Sequence, residues 1–251
     1  MGHEKIQKLH DNGENSMKHI MAIGAHIGDA ELTCGKTLAT HSLKGDKITT
    51  VAVTAGERGA PPGRCHKEFK QYNIDCATKF AAALGGKFFC LGYPDGEAPD
   101  NDELRMVLCD LLRTEKPDVV LTHWHGTMHK DHRITSHAVK DAIYYAGLPG
   151  FQRTTADGTV LPQHRVTGPY FAENWEDAEG FDPYIYIDVG AGYDLWYEHI
   201  QGLWLTNNSP WFEYRDYYDA LSRQRGIRIR KQRAECFDVM SHTKRVVQDG
   251  F

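Results

Sequence analysis

Residues 19–54 read HIMAIGAHIGDAELTCGKTLATHSLKGDKITTVAVT, and this stretch decides the fold. His19-Ile20-Met21-Ala22-Ile23-Gly24-Ala25 is a short apolar run ending in small residues, the pattern of a buried strand feeding a tight turn. Gly28 or Asp29 stands at the cap position of the next helix. Across 31–43, Leu32, Leu38, Ala39 and Leu43 recur with helical spacing, and Gly45-Asp46 closes the helix. Lys47–Thr54 is rich in β-branched residues and reads as a second strand. A strand–helix–strand unit of this kind crosses over right-handed and pairs its strands in parallel.

The same rhythm continues outward. Residues 55–63 (AGERGAPPG) form a Gly- and Pro-rich loop, placed where α/β proteins carry function. Helices are expected over 66–84, 102–113 and 133–146, and strands over 88–91 and 117–122. After Gly147 the chain changes character and becomes aromatic, with a strand at 184–189 and helices at 195–204 and 214–225. The prediction is a three-layer α/β fold with a mostly parallel, Rossmann-like sheet and an aromatic-rich C-terminal extension. Residues 1–17 read as a flexible tail and 18–251 as one domain that includes the extension.

Composition narrows the function classes. In 251 residues, 41% are hydrophobic and 25% charged, which excludes a disordered chain. A net charge of -5 gives no nucleic-acid footprint. No apolar run reaches the roughly 18–20 residues of a membrane span, and the polar N-terminus lacks the apolar core of a signal peptide. The six cysteines form no CxxC pair, as expected of reduced thiols in a cytoplasmic protein.

Fourteen histidines stand out. Ala25-His26-Ile27-Gly28-Asp29-Ala30-Glu31 comes directly after the first strand, and His129-Lys130-Asp131-His132 just after the fourth. Both clusters sit at carboxyl ends of strands, the edge where open parallel sheets bind ligands. Two imidazoles with one carboxylate form a common catalytic zinc set. His26 and Asp29 with either His132 or His129 supply it, and the remaining histidine lies near a substrate carbonyl. Asp131 is placed to orient an imidazole. His123, His125 and His137 read as solvated surface residues. The tryptophans at 124, 175, 196, 204 and 211 read as core or subunit-contact residues, with Asn174 and Trp175 as a candidate pocket wall.

These motifs, in their order, resemble the LmbE-like (PIG-L) family of zinc-dependent de-N-acetylases of amino-sugar conjugates. The resemblance covers residues 19–240. It is carried by AHIGDAELTCGKTLA (25–39), TAGERG (54–59), LGYPDGE (91–97), KPDVVLTH (116–123), HKDHR (129–133) and AECF (234–237). It implies that His26, Asp29 and His132 bind Zn²⁺ or another divalent metal. His129, as an imidazolium, then stabilises the charged intermediate, with Asp131 as its partner. Arg58, Arg64 and Asp95 face the sugar. The implied partner is a small N-acetylated sugar conjugate, and the implied assembly a homo-oligomer.

One departure bears on activity. The family carries two adjacent carboxylates, the first a general base, and here that position is Gly28. A positioned base contributes roughly 10²- to 10⁴-fold in rate. Asp131 is the first candidate to replace it, with Glu31 and Glu57 behind. The expected activity is removal of an N-acetyl group from an amino-sugar conjugate. The alternative is an impaired relative that binds a ligand or serves as a partner subunit.

Overall fold

The computed structural model describes residues 17–244. The expected tail, apart from Met17, and the last residues of the extension lie outside the described residues. A seven-stranded sheet runs β3-β2-β1-β4-β7-β9-β8. Its strands are β1 (His19–Gly24), β2 (Lys47–Thr54), β3 (Lys87–Tyr93), β4 (Val119–His123), β7 (Thr167–Ala172), β8 (Ile185–Asp188) and β9 (Ala234–Val239). A two-stranded ribbon, β5 (Arg153–Thr154) with β6 (Val160–Leu161), stands apart. From β3 to β7 every pairing is parallel. β9 runs antiparallel to both β7 and β8.

Helices cover both faces, which is why the central strands read as unbroken apolar runs. On one face, Ile20 and Ala22 of β1 and Ile48 and Ala52 of β2 pack with α1 (Asp29–Thr33), α2 (Gly35–Leu43), α3 (His66–Ala83), α6 (Tyr193–Ile200) and α8 (Tyr214–Arg228). On the other, Met21, Ile23, Val51 and Val53 pack with α4 (Asp102–Glu115) and α5 (Lys130–Ala146). A short helix, α7 (Trp204–Asn208), lies between α6 and α8.

The helix expected over 31–43 is broken at Cys34, where φ is -122° and α1 ends. Two distant elements dictate the break. The Trp196 indole lies so near Gly35 that a Cβ there would meet it at 2.5 Å. Glu235, from β9, accepts the N–H groups of Lys36 (3.2 Å) and Thr37 (2.7 Å) and thereby caps the new helix. An anion is favoured at a helix N-terminus.

Beside the β5–β6 ribbon, the extension also gives the main sheet two strands that the pattern hides. β7 contains Gly168-Pro169, residues that argue against a strand interior. β9 carries Glu235 and Asp238, yet every one of its residues is buried. Glu235 tolerates burial because Lys36 Nζ lies 3.6 Å away and α2 supplies two donors. Lys36 itself rests over the Trp196 ring at 3.6 Å, and burial pulls its ammonium down to about 8 against the pull of Glu235. Removing one member of a buried pair strands the other. Glu235→Ala is therefore expected to cost about 3–5 kcal/mol in urea unfolding, and a loss below about 1 kcal/mol would refute this account of the α2 cap.

Candidate metal centre

Strand order reverses at β1, whose neighbours are β2 and β4. The chain leaves β1 toward α1 on one face and leaves β4 toward α5 on the other. The crevice between is the topological switch point where such sheets bind ligands. The sequence left open whether these strands are neighbours or one apart; they pair directly, with Ile20 opposite Val119. The two loops are also tied together. Ala25 N–H donates to His123 Nε2 at 2.9 Å, so the ring carries its proton on Nδ1, which meets Asn174 Oδ1 at 3.0 Å. His123 is buried, contrary to the solvated surface role expected for it. His125 and His137 are exposed, as expected.

Gly28 caps α1 with φ 111° and donates its N–H to Glu31 Oε2 at 2.9 Å. This turn aims Asp29 back at His26. His26 Nδ1 lies 3.2 Å from Asp29 Oδ2 and 3.3 Å from His132 Nε2, and His132 Nε2 lies 3.5 Å from Asp29 Oδ2. A tetrahedral zinc with bonds of about 2.0–2.1 Å has ligand atoms about 3.3–3.4 Å apart. The three donors fit that edge length, and the same donor set suits Fe²⁺ or Ni²⁺. Overlapping triads in the same place include His26 with His129 and His132, Asp29 with His123 and His132, and His26 with Asp95 and Asp131.

The electrostatics favour positive charge on His26, negative charge on Asp29 and a neutral ring at His132. Burial opposes charge on Asp29, but His132, His123 and His26 outweigh it and hold the carboxyl well below its usual range. Burial likewise opposes charge on His26, yet Asp29, Asp131 and Asp95 raise it well above the ordinary histidine value. Burial and His123 push His132 well below that value, leaving a neutral imidazole with a lone pair to offer. His132 stacks on His123 with centroids 4.1 Å apart. On the far edge of His26, Nε2 faces Asp95 Oδ1 at 3.2 Å and Asp131 Oδ2 at 3.4 Å.

That last contact changes the role expected for Asp131. Its side chain faces His26, while His129 is met only by Asp131's backbone N–H, donating to Nδ1 at 3.2 Å. Burial, with His26 adjacent, holds His129 below the ordinary value and so opposes the imidazolium form expected of it; with Nδ1 accepting the Asp131 N–H, Nε2 is the edge left to donate. Asp131 is fully buried, also accepts the Gly96 N–H at 2.8 Å, and is absent from the cavity wall. Glu31 is committed to Gly28, and Glu57 Oε1 to the Asp95 N–H at 3.0 Å.

A cavity of about 550 Å³ opens beside the cluster. His26, Asp29, Asp95, His129, His132 and Arg58 line it. Asp95 is held there by the Arg58 N–H, which donates to Oδ2 at 2.9 Å. Arg64 does not line it; its guanidinium lies over the rings of Phe69 (4.9 Å) and Tyr72 (4.5 Å). Asn174 and Trp175 form part of the wall, as anticipated, and Trp204 and Trp211 join them. Trp196 is core, and Trp124 lies elsewhere, its indole N–H donating to Glu179 O at 2.8 Å. Sequence reasoning missed Leu205 and Tyr214, apolar and aromatic wall residues from the extension that carry no motif of their own.

Comparison with known proteins finds relatives of this chain. A diacetylchitobiose deacetylase of Thermococcus kodakarensis is 27% identical over 147 residues, 56% of this chain and 54% of the relative, so the match spans about half of that protein. A 4-oxalmesaconate hydratase of Pseudomonas putida is 25% identical over 234 residues, 88% of this chain and 84% of the relative. The solved N,N'-diacetylchitobiose deacetylase of Pyrococcus horikoshii shares the fold at TM-score 0.78 and 22% identity, covering 96% of this chain and 93% of that one. The family model described as PIG-L, GlcNAc-PI de-N-acetylase, matches residues 21–143. With its motifs on the elements where the chemistry of the fold resides, the segment 21–143 of this chain belongs to the PIG-L (LmbE-like) family.

Proposed function

We propose that this protein hydrolyses an N-acyl group, an acetamide first of all, on an amino sugar or sugar conjugate, with a divalent metal, zinc in the first place, held by His26, Asp29 and His132. The observation carrying this reading is the mutual approach of the three donor atoms at 3.2–3.5 Å beside an open cavity. A divalent ion there lowers the pKa of water and polarises an amide carbonyl. Asp131 Oδ2, 3.4 Å from His26 Nε2, stands where a carboxylate would orient that imidazole in a metal site. His129 donates its Nε2–H to the carbonyl oxygen as charge develops on it. Asp95 is the carboxylate left in the cavity wall once Asp29 holds the metal; its oxygens also meet His26 and the Arg58 N–H, and its lone pairs toward the cavity make it the group assigned the role expected of Asp131. It accepts the proton of the attacking water and passes it to the departing amine. Water oxygen bonds to the acyl carbon, the C–N bond breaks, and a carboxylate and an amine leave.

Similarity to the hydratase favours a second reading, addition of water to a carbon–carbon double bond. The cavity speaks against a substrate carrying several carboxylates. Arg58 is the one Lys or Arg side chain in its wall among the described residues, and it is already paired with Glu97. The cavity walls, polar on the histidine side and aromatic on the other, suit a neutral ring with an amide. The impaired-relative reading rests on Gly28 alone, and the presence of Asp95 in the cavity wall supports the active reading over it.

Purified protein incubated with Zn²⁺ is expected to retain one ion per chain by elemental analysis, and Asp29→Ala or His132→Ala to lose it. Retention in both variants would remove this ligand set. Asp95→Asn should lower kcat on N-acetylated sugars by about 10²- to 10⁴-fold with metal content unchanged. Asp131→Asn should instead weaken metal retention by about 10- to 100-fold. Full activity in Asp95→Asn would move the proton route elsewhere. Gly28→Asp is not expected to raise activity, because φ 111° strains any side chain there and its Cβ would meet Leu205 Cδ2 at 2.4 Å. A gain of activity in that variant would support the impaired-relative reading.

A further inference from the structure

Gly28 leaves no open space beside the candidate metal ligand Asp29. The isobutyl group of Leu205 covers it: a Cβ at 28 would lie 2.4 Å from Cδ2, 3.5 Å from Cγ and 3.7 Å from Cδ1. Leu205 therefore occupies the space that a side chain at 28 would fill, and it also lines the cavity. Ile27, Leu32 and Tyr218 continue the same apolar wall. The polar groups of the site, His26, Asp95, His129 and His132, belong to loops and helices of the sheet edge, whereas Leu205 arrives from the extension. Its helix is anchored, not loose. Thr206 Oγ1 donates to the carbonyls of Ile200 (3.0 Å) and Leu203 (2.8 Å), and Trp204 packs edge-on against Phe69 with centroids 5.4 Å apart.

We propose that Leu205, seated on Gly28, is the residue that selects the acyl group, giving the acyl carbons an apolar contact and limiting their number. The inference rests on the amide-hydrolase reading and deepens it. An amide that offers its carbonyl oxygen to an imidazole of the site needs an apolar contact for its acyl carbons, and Leu205, which lines the same cavity and is seated on Gly28 next to Asp29, supplies one. The side chain at 205 then measures chain length, because methylenes in an apolar pocket discriminate by about 10-fold or more when the space is closed.

The test is calorimetric binding of N-acetyl-, N-butyryl- and N-hexanoylglucosamine to the full chain, as wild type, Leu205→Ala and Leu205→Val, with carboxylate release measured in parallel. Wild type is expected to bind the acetyl compound best and the hexanoyl compound about tenfold or more weakly. Leu205→Ala should flatten or reverse that order. Leu205→Val should shift it the same way by less, which keeps the test open should the alanine variant fail to fold. An unchanged order in the folded variants, with carboxylate released, overturns the role of Leu205 and leaves the hydrolase reading standing. A shifted order without release supports Leu205 and removes hydrolysis. Binding of none of the three sugars by any of the proteins overturns both.

Discussion

The parallel pairing of β1 with β4 is the constraint on which the candidate site depends. These strands are adjacent, yet the chain leaves one toward the first face of the sheet and the other toward the second. The crevice between is a consequence of connectivity, and the residues that line it are those that happen to come after the two strands. His26 and His132, 106 positions apart in the chain, come within 3.3 Å for that reason. The Ala25 N–H to His123 bond then locks the two loops together, and Asn174 from beyond β7 fixes the ring that receives it.

Burying so many ionisable groups in one place demands internal balance. A buried charge is tolerated only where partners replace water. Asp29 is held by imidazoles, and His26 by three carboxylates. The same rule operates on the far side of the first core, where Lys36 and Glu235 are buried against each other, α2 and Trp196. The extension supplies partners in both places. It closes the cavity with Leu205 and Tyr214 and caps α2 with Glu235.

Legibility tracked the strength of local pattern. The strand over 47–54 and the helices over 66–84 and 102–113 were readable because apolar periodicity and Gly or Pro punctuation agree there with the tertiary result. β7 and β9 were not, since Gly168-Pro169 and the carboxylates of β9 argue locally against buried strands, and only distant partners reverse that argument. His123 was misread for the same reason. A histidine ending a strand is ordinarily solvated, and nothing local announces that Ala25 and Asn174 will bury it.

The alternation of strands and helices through the first half and the two histidine clusters at strand ends were legible in the amino-acid sequence alone, because each is written in short-range pattern; which histidine joins His26 and Asp29 was expected only from the family resemblance. Which edge of an imidazole meets which carboxylate was decided only by the tertiary structure. So were the burial of Asp131, the placement of Asp95 in the cavity and the seating of Leu205 on Gly28. Those are matters of tenths of an ångström between elements far apart in the chain, and no periodicity encodes them.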